Sequence, residues 1–214
     1  MTGVVFTKEG IIGTASRREQ RKEQTRRRLI EAADRLFRRQ GFEATTVEAI
    51  ADAADVAKGT FFNYFQNKEG VLVAILHARL EEAVAECPSP SEPTVQRIYT
   101  MLDRVQEALD PYCRMLPHLL MHTMAPRRPK KPAERRRQPL MSVIRRILEE
   151  GEARGEVRPG VSVEIGASLI VTYFFRLAFE SCLFPGEDST QDRLQAGMDI
   201  LFHGLLSEKA DIPS

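Results

Sequence analysis

Lys58, Gly59, Thr60, Asn63, Tyr64 and Lys68 collect a particular set of groups in one short stretch. Ammonium groups suit phosphate oxygens, a hydroxyl and a carboxamide can address base edges, and a glycine lets a phosphate backbone approach closely. Such chemistry points to a nucleic acid. It works only if these residues open a helix whose N-terminal end enters a groove, with Phe61 and Phe65, four apart, anchoring the rear.

The surrounding segment supplies that helix and a partner for it. Thr45 to Phe65 reads TTVEAIADAADVAKGTFFNYF. Thr45 and Glu48 match the S/T-x-x-E capping box, and Val47, Ile50, Ala51 and Ala54 recur at helical spacing. Asp55 tolerates a left-handed turn, Val56 supplies an apolar plug, and a second helix starts near Ala57. Two short helices crossing at such a turn form a helix-turn-helix; an ordinary hairpin of a helical bundle would share the pattern, and DNA binding separates the two. Thr45, Thr46 and Arg26 complete the candidate DNA contacts.

The run GFEATTVEAIADAADVAKGTFFNYFQNKEGVL resembles the TetR family of bacterial transcriptional repressors over about residues 22 to 80. A helix like Arg26 to Gln40 precedes the motif there, and a Phe-x-x-Lys-Glu element, here ending in Lys68-Glu69, follows it. The chain departs from the family in three places. Asp55 stands where Gly is usual, Ala57 where a Ser cap is frequent, and Phe62 where a Tyr hydroxyl often contacts phosphate, which leaves Tyr64 and Lys68 for that role. The resemblance implies an all-α protein: a three-helix DNA-binding domain, then a larger helical domain that binds an effector and dimerises. The expected division is a basic arm at 1–21, a DNA-binding domain at 22–82 with its motif at about 45–64, and an effector and dimerisation domain at 83–214. It also implies a cytoplasmic homodimeric repressor, reading a palindromic operator and released by a small molecule, with no cofactor, metal or catalytic residue.

Charge distribution fits a DNA-facing end. The chain of 214 residues carries a net +1, yet residues 1 to 40 hold eleven basic and five acidic side chains, a local +6. That is the sign of a phosphate footprint, or of a solvated tail. Within this stretch Leu29, Ala32, Ala33, Leu36 and Phe37 draw an apolar stripe, and Gly41 is a natural stop. Cys87, Cys113 and Cys182 are odd in number and widely spaced, so neither a disulfide framework nor a cysteine-rich zinc site is expected. The apolar run from Ile165 to Phe184 contains Arg176 and Glu180, costly in a bilayer, and is expected as a buried helix of a protein with no membrane partner.

Three prolines in Pro88 to Pro93 mark a boundary, beyond which helices are expected near 94–109, 111–124, 138–154, 161–184 and 190–207. The basic stretch 126–137 reads as a loop, or as a second nucleic-acid contact. Gly155-Glu156-Val157-Arg158-Pro159 looks like the turn between two long helices of the TetR effector domain. Candidate effector contacts, each equally readable as core, are Tyr99, Met101, Tyr112, Met115, His118, Met121, His122, Tyr173 and Arg176, which suit a small hydrophobic or aromatic molecule. Leu194, Gly197, Met198, Leu201, Gly204 and Leu205 are the expected dimer seam. His118 and His122, four apart, leave a metal-sensing repressor as an alternative, although the Glu of HExxH is missing. A helical enzyme that only mimics the motif is the other, and no nucleotide loop or GxSxG supports it.

Overall fold

The computed structural model describes residues 17–116, 118, 139–158, 160–183 and 190–203. Among them it forms eight α-helices and one 3₁₀ segment and contains no strand: α1 Arg17–Gln40, α2 Val47–Ala53, α3 Lys58–Phe62, α4 Lys68–Ala85, α5 Thr94–Leu109, the 3₁₀ segment Asp110–Met115, α6 Pro139–Ala153, α7 Val163–Leu183 and α8 Thr190–His203. Two compact units divide at Leu72/Val73, inside α4.

In the first unit α1 is longer at its start than the resemblance suggests. Residues 17–21, expected as arm, are already helical, since no Gly or Pro interrupts 17–40 and Arg27 and Glu31 pair four residues apart. Residues 1–16 lie outside the described residues. Leu29, Ala32, Ala33, Leu36 and Phe37 are buried as a stripe against Phe42, Ile50, Ala51, Phe61 and Phe65. The helix stops where expected: Gly41 has φ 84 and its amide bonds back to Phe37.

The second unit is a helical pack. α6 and α7 lie together, α8 packs on α7, α5 on α6, and the 3₁₀ segment contacts α5 and α7. Ile98, Met101, Leu102 and Val105 of α5 meet Ile144, Ile147, Ile170, Phe174 and Met198 in one core. The helix expected at 111–124 starts instead as the 3₁₀ segment, with Pro111 in its first turn. Between α6 and α7 the Gly155 turn forms as expected: Gly155 has φ 75 and the Glu156 amide bonds to Gly151. Glu156 then reaches back to α5, whose own start has no side-chain cap, and accepts the Thr94 amide at 2.6 Å. Arg154 holds that carboxylate at 2.6 Å and donates to the Pro90 carbonyl at 2.7 Å.

α7 is long and apolar enough to cross a membrane by length and composition. It is the central helix of this unit instead, with Ala167, Ile170, Val171, Phe174 and Leu177 buried. Arg176 pairs with Glu180 at 3.1 Å, and Arg193 of α8 adds a second contact at 3.0 Å.

Candidate nucleic-acid interface and effector cavity

The helix-turn-helix is built by a set of local bonds, some of them one residue away from where the pattern puts them. Thr46, not Thr45, caps α2, its Oγ1 accepting the Ala49 amide at 3.1 Å. Thr45 is fully buried and donates its hydroxyl to the Gly41 carbonyl at 2.7 Å, so its side chain is withdrawn from any DNA. The capping-box reading is corrected accordingly: two adjacent threonines offer two registers, and burial of Thr45 decides between them. At the turn, Asp55 takes the expected left-handed conformation with φ 53. Arg28 of α1 grips it, donating to the Ala54 carbonyl and to the Asp55 carboxylate, the latter at 3.1 Å. Sequence reading missed Arg28, because α1 offers it among many arginines and only the fold brings it to the turn.

α3 is brief. Regular helix ends at Phe62, and Asn63, Tyr64 and Phe65 close it with amide bonds to Thr60 and Phe61. Phe61 is fully buried and meets Phe65 at 5.9 Å, which anchors the rear of the helix as expected. Lys58, Gly59, Phe62 and Asn63 are exposed, and Thr60 and Tyr64 partly so. A methyl group added at Gly59 would meet nothing within 4 Å. The fold itself makes no demand for glycine there, so any demand comes from outside the protein. Phe62 is 50% exposed on this face, an apolar ring that the sequence reading left out of the contact set.

All three expected cations have partners within the protein. Lys58 pairs with Glu48, and this contact holds the Glu48 carboxyl below its usual range. Lys68 donates to the Phe42 carbonyl at 2.9 Å and lies 4.5 Å above the Phe42 ring. Within the protein its ammonium acts as a latch that ties the start of α4 to the segment after α1. Arg26 sits 5.7 Å over the Phe65 ring, and Thr46, the cap of α2, is exposed.

Within the second unit lies a cavity of about 680 Å³ between α4, α5, the 3₁₀ segment and α7. Leu76, Leu80, Leu109, Leu116, Phe174, Phe175 and Phe179 make most of its wall, and His77, Gln106, Asp110, Thr172, Arg176 and Ser181 are its polar groups. Of the nine candidate contacts, Arg176 lines it. Met101, Tyr112 and Met115 are spent in packing, with the Tyr112 hydroxyl accepting from Arg79 at 3.2 Å. Tyr99 lies against Phe202, and Tyr173 donates to the Arg193 carbonyl at 2.9 Å while its ring covers Gly197. His118 is half-buried outside the lining, and Met121 and His122 lie outside the described residues. Bulky residues with a polar tip are equally at home in a core, and sequence alone does not separate the two roles.

The cysteines also depart from expectation. Cys113 of the 3₁₀ segment and Cys182 of α7 form a disulfide with Cα atoms 5.1 Å apart, and both line the cavity. Sequence spacing cannot reveal a pair separated by 69 residues. Cys87 is free. Among the described residues no group of three or more His, Cys, Asp or Glu could hold a metal ion.

The expected dimer seam is partly used inside the protomer. Leu194 and Met198 are buried in its own core, Leu201 packs on that core, and Gly197 gives room to Tyr173; Gly204 and Leu205 lie outside the described residues. That placement corrects Leu194 and Met198, whose stripe faces α7 of the same chain. The apolar groups left exposed on α7 and α8 are Ile165, Leu169, Phe175 and Ile200.

A helix-turn-helix unit followed by a cavity-bearing helical unit defines a ligand-responsive transcriptional regulator. Residues 29–75 match the model of the bacterial regulatory proteins of the tetR family. The chain is 31% identical over 163 residues to the uncharacterised HTH-type transcriptional regulator YdeS of Bacillus subtilis, covering 73% of this chain and 80% of that one. It is 26% identical over 159 residues to the uncharacterised regulator YhgD of the same organism, covering 71% and 81%. Among solved structures it is similar to the TetR-family repressor FadR of Thermus thermophilus, in complex with lauroyl-CoA, with a TM-score of 0.68, 27% identity and coverage of 88% and 99%. The chain belongs to the TetR family: it is a DNA-binding transcriptional repressor that responds to a ligand, and it is not an enzyme.

Proposed function

We propose that the protein is a homodimeric repressor of a palindromic operator, and that its effector is an acyl-CoA whose chain occupies the cavity of the second unit. The observation that carries this is the cavity itself. It is apolar along its length, with few polar groups, as a site for an aliphatic chain must be. Arg176 is mostly exposed and supplies a cation for phosphates of the headgroup. The likeness to a repressor that binds lauroyl-CoA supports the chemical class.

On the DNA side, the exposed face of α3 presents Gly59, Thr60, Phe62, Asn63 and Tyr64 to the major groove, with Lys58 leaving Glu48 for phosphate. One such helix reads too few bases for a useful site, so two copies are needed; the exposed Ile165, Leu169 and Ile200 are the surface through which a second copy docks. An effector that favours a different arrangement of the dimer by about 1.4 kcal/mol lowers operator affinity tenfold.

The test starts from DNA selected by the purified protein from a random pool. Lauroyl-CoA should bind by calorimetry and release that DNA, whereas free coenzyme A should do neither. If acyl-CoAs neither bind nor release DNA, the effector assignment is wrong; if the selected DNA lacks two-fold symmetry, the dimer assignment is wrong.

A further inference from the structure

The cavity wall holds two sulfur atoms that the effector reading does not use. Cys113 and Cys182 stand on different elements, the 3₁₀ segment and α7, and both face the same apolar space. Both are half-buried, so small oxidants and reductants can reach them. A DNA-binding regulator of this family works where the DNA is, in a reducing cytoplasm, and there a disulfide is a transient, redox-sensing bond rather than a permanent staple.

We propose that Cys113 and Cys182 are a reversible oxidation site that sets the affinity of the cavity for its effector. This rests on the second-unit cavity being the effector site. The oxidant is a hydroperoxide. One thiolate attacks its terminal oxygen and breaks the O–O bond, leaving a sulfenic acid and releasing an alcohol, or water from hydrogen peroxide. The second thiol then displaces the sulfenic oxygen as water and closes the S–S bond, so two electrons pass from the thiol pair to the peroxide. A cellular dithiol reverses this by attacking one sulfur, passing through a mixed disulfide and leaving as its own disulfide.

The bond fixes the distance between two walls of the cavity. In the oxidised form the 3₁₀ segment is held against α7, and Leu116 and Phe179 are kept on the lining around the incoming chain. After reduction the 3₁₀ segment is restrained only by packing, and a ligand must order it on binding. The oxidised form therefore binds the effector more tightly, because its site is pre-organised. A peroxide signal and an acyl-CoA signal thus act in the same direction, both toward release of DNA.

The experiment uses the full chain poised in oxidised or reduced dithiothreitol, with the state of each cysteine read by alkylation and mass spectrometry. Lauroyl-CoA and the apolar dye anilinonaphthalene sulfonate are titrated into both forms. Hydrogen peroxide should couple Cys113 to Cys182 in the reduced protein. The oxidised form should bind both ligands about tenfold more tightly, about 1.4 kcal/mol, and the Cys113→Ser/Cys182→Ser variant should show the weaker affinity in either buffer. A pair that stays reduced under peroxide, wild-type affinities that agree within about twofold for both ligands, or a double-serine variant that still responds to reductant would each overturn the proposal. If the dye distinguishes the two forms while lauroyl-CoA binds neither, the effector class falls and the redox site stands.

Discussion

The two units solve opposite problems. In the first, an arginine, a lysine and a threonine each close a specific backbone bond: Arg28 at the α2–α3 turn, Lys68 at the end of α1, Thr46 at the start of α2. In the second, the fold leaves a large apolar cavity, and among the described residues the Tyr99 hydroxyl and two guanidinium nitrogens of the fully buried Arg97 have no hydrogen-bond partner. A surface that reads DNA needs side chains fixed to fractions of an ångström, whereas a responsive domain needs room and incompletely satisfied groups that another state can settle.

The largest effects should come from breaking each core on its own. Phe61→Ala empties the fully buried anchor of α3 and should cost about 3 to 5 kcal/mol, abolishing DNA binding while the dye still finds the cavity of the second unit. Met198→Asp buries a carboxylate where no side-chain surface is exposed, and should melt the second unit rather than merely separate subunits. Ile165→Asp, on the exposed face of α7, is the contrasting change: circular dichroism should be unaltered and light scattering should report a monomer. A stable Met198→Asp protein would return that residue to the subunit interface.

Smaller effects sharpen the same contrast. At Gly197 an added Cβ would run into the Tyr173 ring, so Gly197→Ala should lower second-unit stability by about 1 to 3 kcal/mol, read as a fall in Tm. Gly59 has no such neighbour. Gly59→Ala should stabilise α3 by about 0.5 to 1 kcal/mol and still weaken operator binding, which would separate folding from recognition at a single residue.

The least effect belongs to Glu156. Arg154 beside it, with help from Thr94, holds its carboxyl down at about 2 against an ordinary 4.5. A folded-state value below the unfolded one means stability that is present above pH 4.5 and lost as pH falls toward 2. Glu156→Gln should therefore flatten the decline of Tm across that window; an unchanged slope would show the contact to be too exposed to matter.

What could be read from the chain follows the same division. The apolar stripe of α1, the left-handed Asp55 and the Phe61–Phe65 anchor are local patterns, and local patterns survive folding. So do the stop at Gly41 and the turn at Gly155. Thr45 against Thr46 is a tie at the level of sequence, settled only by which hydroxyl the fold buries. The cavity lining was illegible because it is made of leucines and phenylalanines indistinguishable from core, and because Cys113 meets Cys182 only when distant elements meet. The internal bond of Lys68 was hidden for a related reason. A cation near a DNA-binding motif suggests phosphate, and nothing in its neighbours announces the Phe42 carbonyl.

The cap on α5 has a kinetic side. Its first amide, on Thr94, is satisfied by a carboxylate 62 residues further along the chain. Helix α5 cannot finish its own beginning. Until α6 has formed and its terminal turn has docked, that amide stays open to water, and the loop between them must be closed against its entropy. The start of α5 and the end of α6 therefore become protected together, late, and as one cooperative event. Hydrogen exchange should show the Thr94 amide and the amides of the Gly155 turn gaining protection with a single time constant, slower than the interior of either helix.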